Sequence, residues 1–188
     1  MNGGQVQGSG AVFSAATLNI GPAAGAGLLI LRGTCTLDGN VGPGQTLWVN
    51  GSPTGGSGYL QAAAGVTNAG TLRLESSGGQ RQFSADLDSQ GSLTINAPTA
   101  FTKCGGVYAN SRSLTIASGQ SLAIASGNQI FKQSGGTLDA QGEFRLTAVR
   151  FNYHGGEVRG KPGPGRAPLP CGGPATSAAM SRITRCCW

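Results

Sequence analysis

The sequence predicts an all-β chain wound as a single-stranded parallel β-helix, a β-solenoid of about 20–25 residues per coil. Three observations carry that expectation. Glycine supplies 34 of 188 residues while charged residues make up only 11%. Short segments reading small, apolar, any residue, apolar recur along the chain. The recurrence also keeps a register, with Leu72, Leu93 and Leu114 spaced 21 residues apart. A helical bundle would carry few glycines and many Ala, Glu, Lys and Leu residues. Collagen would need Gly at every third position. Charge-driven disorder does not fit a chain that is 38% hydrophobic with a net charge of +6.

The repeat is clearest over residues 66–160. Gly70-Thr71-Leu72-Arg73-Leu74 aligns with Gly91-Ser92-Leu93-Thr94-Ile95 and with Arg112-Ser113-Leu114-Thr115-Ile116. Gly136-Thr137-Leu138-Asp139-Ala140 and Gly156-Glu157-Val158-Arg159 continue the series, and Leu29 and Leu47 precede it at looser spacing. Before these segments come Val66, Leu87, Tyr108, Phe131 and Phe151, each opening an apolar–polar run that leads into a turn. A further short strand is visible in Ser121-Leu122-Ala123-Ile124 and in Glu143-Phe144-Arg145-Leu146.

Alternating apolar residues put their side chains on one face of a strand. A unit of this length cannot bury that face alone. Stacking units about 4.8 Å apart pairs each backbone with the next and joins the inward faces into one core. Seven or eight coils are expected, with Gly and Asn at the corners where the chain bends through positive φ. A β-sandwich would bury alternate residues equally well, but it gives no reason for a 21-residue register.

These strings, with Gln133-Ser134-Gly135-Gly136-Thr137-Leu138 and Phe151-Asn152-Tyr153-His154-Gly155-Gly156, resemble the Asn-x-Gly-x-Leu-x-Ile repeats of bacterial surface β-helix proteins. That group includes filamentous-haemagglutinin-like exoproteins and autotransporter passenger domains. The resemblance covers about residues 40–160. It implies a secreted or surface-displayed β-helix acting as a stalk or adhesin, and it transfers no catalytic residue.

Residues 161–188 break the pattern. The run Lys161-Pro162-Gly163-Pro164-Gly165-Arg166-Ala167-Pro168-Leu169-Pro170 cannot pair as a strand, because proline lacks the donor. The chain therefore reads as solenoid repeats over 1–160 and an irregular Pro/Gly/Cys tail over 161–188. That tail is either a disordered linker ending the rod or the product of a different reading frame. Residues 1–160 hold nine Lys or Arg against seven Asp or Glu, so the basic excess belongs to the tail and gives no basic face for nucleic acid. The longest small-plus-apolar run, Ala23 to Leu31, is too short to span a bilayer. The first residues lack a secretory leader pattern, so an extracellular or cell-surface location implies a longer parent chain.

Of the five cysteines, Cys35 and Cys104 read as buried small apolar residues, and no Cys/His zinc spacing exists. No cofactor and no metal are expected.

Candidate chemistry is sparse. Asp86 and Asp88 lie two apart and, if carried on a strand, share one face. Paired carboxylates of this kind could perform acid–base work on a polysaccharide, as a lyase or hydrolase, or bind calcium. The plainer reading makes them solvent-facing neighbours of inward Leu87, with Lys103 and Arg81 the nearby basic residues. His154 reads as a solvated turn residue. Trp48, Tyr59, Tyr108, Phe151 and Tyr153 would stack on sugars only if exposed in a line, and alternation sends several inward. The Thr column that could match ice is broken, since Thr94 and Thr115 align with Arg73 and Asp139. The expected role is structural and adhesive: polar faces presented to glycans or to a host or neighbouring cell surface. Uncapped solenoid ends would also allow end-to-end self-association.

Overall fold

A computed structural model describes residues 4–52, 54–76 and 78–160. The expected tail over 161–188 lies outside the described residues. The chain winds through β1 (Val6–Ser14) and β2 (Thr17–Ile20), then β3 (Gly27–Arg32) and β4 (Thr34–Gly39). The third coil holds β5 (Gln45–Asn50), β6 (Gly58–Gln61) and β7 (Val66–Asn68). The fourth holds β8 (Thr71–Leu74), β9 (Arg81–Ser84) and β10 (Leu87–Ser89), and the fifth β11 (Ser92–Ile95), β12 (Thr99–Phe101) and β13 (Val107–Asn110). The sixth holds β14 (Ser113–Ile116), β15 (Ser121–Ile124) and β16 (Ile130–Gln133). The seventh holds β17 (Thr137–Ala140), β18 (Glu143–Leu146) and β19 (Arg150–Tyr153), and β20 (Glu157–Gly160) opens another.

Successive coils stack into three sheets, and every strand pairing is parallel. The first sheet runs β1-β3-β5-β8-β11-β14-β17-β20, the second β2-β4-β6-β9-β12-β15-β18 and the third β7-β10-β13-β16-β19. The architecture is therefore the parallel β-solenoid that the repeat implies, with about seven turns.

Register follows the sequence alignment residue for residue. Leu72 pairs with Leu93, Leu93 with Leu114, Leu114 with Leu138 and Leu138 with Val158. Leu29 and Leu47 extend that column upward. In the third sheet Val66, Leu87, Tyr108, Phe131 and Phe151 form one inward column. In the second, Cys35, Leu60, Phe83, Phe101, Ile124 and Leu146 form another. The columns meet in one dry core, where Leu47, Leu72, Leu114, Phe83 and Ile95 are fully buried. Rings stack within it, with Phe101 4.6 Å from Tyr108 and Phe131 5.8 Å from Phe151 between centroids.

Two expectations are corrected. Cys104 is exposed, in the turn after β12, whereas Cys35 is buried as expected. Apolar alternation has ended at that turn, so nothing draws the Cys104 side chain inward. The corner asparagines do not supply positive φ as a rule; Asn128 is the described exception. Asn68 and Asn110 instead point inward. The Asn68 Nδ2 donates to Ser92 O at 2.9 Å, and the Asn110 Nδ2 donates to Thr137 O at 3.2 Å. Each amide thus ties the third sheet to the first across a corner.

Buried polar side chains fasten other corners. Gln45 receives the Gly42 N–H at 2.8 Å and donates to the Ala24 and Gly25 carbonyls of the coil above. Gln129 does the same between Ser126 and the Phe101 and Lys103 carbonyls. Arg81 is fully buried and donates to the carbonyls of Glu75, Gly78 and Gln80 at 2.7, 2.8 and 3.1 Å. Gly58 stands opposite it in the ladder, and a Cβ there would crowd the Arg81 Cδ and the Asn50 carbonyl. These bonds satisfy groups that burial would otherwise leave without partners, at a cost of about 1–3 kcal/mol each.

Candidate functional site

Two outer surfaces carry chemistry. The first lies across the third sheet, where Thr67, Asp88, Ala109, Lys132 and Asn152 form an outward column in register. An open groove runs over this face, lined by Thr67, Asp86, Asp88, Val107, Ala109 and Lys132 among others. Ala109 sets its floor, with a carboxylate one rung above and an ammonium one rung below. At about 4.8 Å per rung, Asp88 and Lys132 stand roughly 10 Å apart along the axis.

Asp86 and Asp88 do share the outer face, on either side of buried Leu87, as alternation predicts. Their environments differ. Asp86 meets the Lys103 ammonium at 2.5 Å and accepts the Val107 N–H at 2.8 Å. Partial burial pushes its carboxyl upward, but the Lys103 hydrogen bond, the Val107 N–H and the Lys103 charge together hold it below the usual carboxylate range. A general acid near neutral pH needs the opposite displacement. Asp88 accepts the Gln90 amide at 2.7 Å. Of the two basic neighbours, Lys103 reaches Asp86, while Arg81 faces the interior. Among the described residues no group of three His, Cys, Asp or Glu side chains is placed to hold a metal.

The second surface is the outer face of the first sheet. Thr46, Thr71, Ser92, Ser113 and Thr137 form an unbroken hydroxyl column. Beside it run Val12, Ile30, Trp48, Arg73, Thr94, Thr115, Asp139 and Arg159. The Arg73 guanidinium covers the Trp48 ring at 5.1 Å and pairs with Glu75. Arg73 and Asp139 interrupt the threonines at the positions that the alignment gives.

Among the described residues the aromatic side chains make no exposed line. Tyr108 is fully buried, with its hydroxyl against the Gln129 amide at 3.2 Å. Phe151 stacks beneath Phe131, and Trp48 lies under Arg73. His154 is exposed just after β19. No helix among the described residues is long and apolar enough to cross a membrane.

Sequence reasoning missed Gln45, Arg81 and Gln129, the buried corner residues. Their one signal in the sequence is position, because each opens or immediately precedes an apolar strand segment. Compared with known proteins, the chain matches no family model, no curated protein and no solved structure.

Proposed function

We propose that the chain is a structural and adhesive segment of a secreted or surface-displayed bacterial protein of the β-helix repeat kind. One observation carries the reading: the outward hydroxyl column of Thr46, Thr71, Ser92, Ser113 and Thr137, held in strict register on a stiff stacked core. Repeating hydroxyls at rung spacing offer many weak, similar hydrogen bonds to an extended polar ligand, and affinity then comes from multiplicity. Glycans of a host or neighbouring cell surface have that chemistry. The role needs no cofactor and no nucleic acid.

The test is a glycan array probed with the full chain and with Ser92→Arg/Ser113→Arg. Binding that the double variant loses at unchanged melting temperature supports the reading; an array with no signal removes the adhesive part. A second reading, polysaccharide cleavage, draws support from the groove that places Asp86 and Asp88 together. Depolymerisation of pectin-like substrates that disappears in both Asp86→Asn and Asp88→Asn would establish it in place of the first.

A further inference from the structure

The charges in the groove over the third sheet are not equivalent. Asp86 is already neutralised by Lys103. Asp88 accepts the Gln90 amide through one oxygen at 2.7 Å and meets no cation among the described residues. Two rungs further on, the half-buried Lys132 makes no hydrogen bond or ion pair with a described residue. Ala109 lies between them with only a methyl group, so an unpaired acid and an unpaired base face each other across roughly 10 Å.

Beyond this bracket the column is uncharged, with Thr67 on the far side of Asp88 and Asn152 on the far side of Lys132. The pattern therefore does not recur along the rod. Arg150, exposed on β19 two residues before Asn152, adds positive charge at the Lys132 end. The groove has a volume of about 480 Å³, in the range of sites for small organic ligands. Strands β10, β13 and β16 each pair with a neighbour on both sides. A ligand lying on their outer face meets side chains alone.

We propose that this groove binds a short extended peptide with both termini free, its ammonium at Asp88, its carboxylate at Lys132 and its middle residue over Ala109. An extended chain advances about 3.4 Å per residue, so three residues span about 10 Å, while two fall short and four overshoot. The peptide lies along the axis of the rod, across the strands. Small side chains suit the floor, which Val107 and Ala109 form. A polymer with recurring charges finds no second bracket to continue into. The inference concerns a different face from the hydroxyl column and stands whether or not that column binds glycans.

The experiment is an NMR titration of the full chain with trialanine up to about 10 mM, because exposed ion pairs are individually weak and a Kd of roughly 1 mM is expected. Amide shifts should map to Asp88, Ala109 and Lys132. Trialanine blocked at both ends, dialanine and tetra-alanine should each bind about threefold more weakly or worse. Asp88→Lys and Lys132→Asp should each weaken binding about fivefold or more. Asp88→Lys/Lys132→Asp should restore it, because the peptide can turn around. Ala109→Leu fills the floor without touching either charge and should give the same loss if a charge variant fails to fold. Absence of shifts with trialanine overturns the proposal. So does equal binding of the blocked peptide, or a folded double variant that binds no better than either single one. Tighter binding by an oligosaccharide bearing both ammonium and carboxylate groups, or cross-links that seat residues 161–188 in the groove, would also overturn it.

Discussion

The Lys103 ammonium lies 2.5 Å from the Asp86 carboxylate, whose other oxygen accepts the Val107 N–H. One acidic side chain thus binds the corner and the strand of the coil below. Because the folded protein holds the Asp86 carboxyl below its ordinary value of 3.8, this contact stabilises the fold above that value. The contribution is lost as pH falls through the depressed value. Asp86→Asn should cost about 1 kcal/mol at pH 7, since the pair is partly exposed and an amide oxygen still accepts the Val107 N–H, so the change removes mainly the charged hydrogen bond with Lys103. Urea unfolding should show that difference shrink as pH falls below the ordinary carboxylate range. A difference that ignores pH would assign the cost to packing instead.

Leu114 sits between Leu93 and Leu138 with no exposure. Leu114→Ala should cost about 2–5 kcal/mol, while its outward neighbour Thr115→Ala should stay within about 0.5 kcal/mol. Leu93→Ala/Leu114→Ala should depart from additivity, because the two cavities merge. Chemical denaturation of the four chains checks this.

Arg81 is the largest polar side chain in the described core, and its guanidinium donates hydrogen bonds to the carbonyls of Glu75, Gln80 and Gly78. Desolvation lowers its pKa, yet a guanidinium keeps its charge. Arg81→Met should destabilise the fold by about 3 kcal/mol by leaving those carbonyls without donors. Arg81→Lys should recover little, since an ammonium cannot reach acceptors spread around a planar fork. Hydrogen exchange should show the loss confined to the corner between β8 and β9 at low denaturant; uniform loss would argue against a local clamp.

Tyr108 gives the alkaline counterpart to Asp86. Burial, first, pushes its phenol up to about 12, outweighing the hydrogen bonds from Lys103 and Gln129. A raised folded value means its stabilisation is complete below about pH 10 and is lost as pH rises toward 12. Tyr108→Phe should therefore flatten the decline of stability between pH 10 and 12. Melting temperatures across that range provide the measurement, and identical slopes in the two chains would refute it.

Much of the architecture was legible because burial in a stacked fold repeats with the coil. Leu72, Leu93 and Leu114 announce their own neighbours, and Val66, Leu87, Tyr108, Phe131 and Phe151 do the same in the third sheet. Alternation also placed Asp86 and Asp88 on one face. What stayed hidden was the fate of polar residues at corners. Gln45 is buried because the carbonyls of Ala24 and Gly25 wait for it, about one coil earlier in sequence. Asn68 is buried because Ser92 offers a carbonyl across the bend. Such partners are set by which backbone groups the winding leaves unpaired, and a pattern of apolar residues does not register them. Cys104 shows the same limit from the other side: hydrophobicity alone suggested burial, and its place in a turn decided otherwise.

Coil length varies while the columns stay aligned. Leu29 and Leu47 are 18 residues apart and Leu47 and Leu72 are 25, yet all three pair directly. The extra residues are taken up at bends, so contour length and axial height are independent. The molecule behaves as a graduated ruler. A peptide spliced at Gly105 and another at Gly127, where the two bends touch through a backbone hydrogen bond, would be displayed about 5 Å apart in height whatever their lengths.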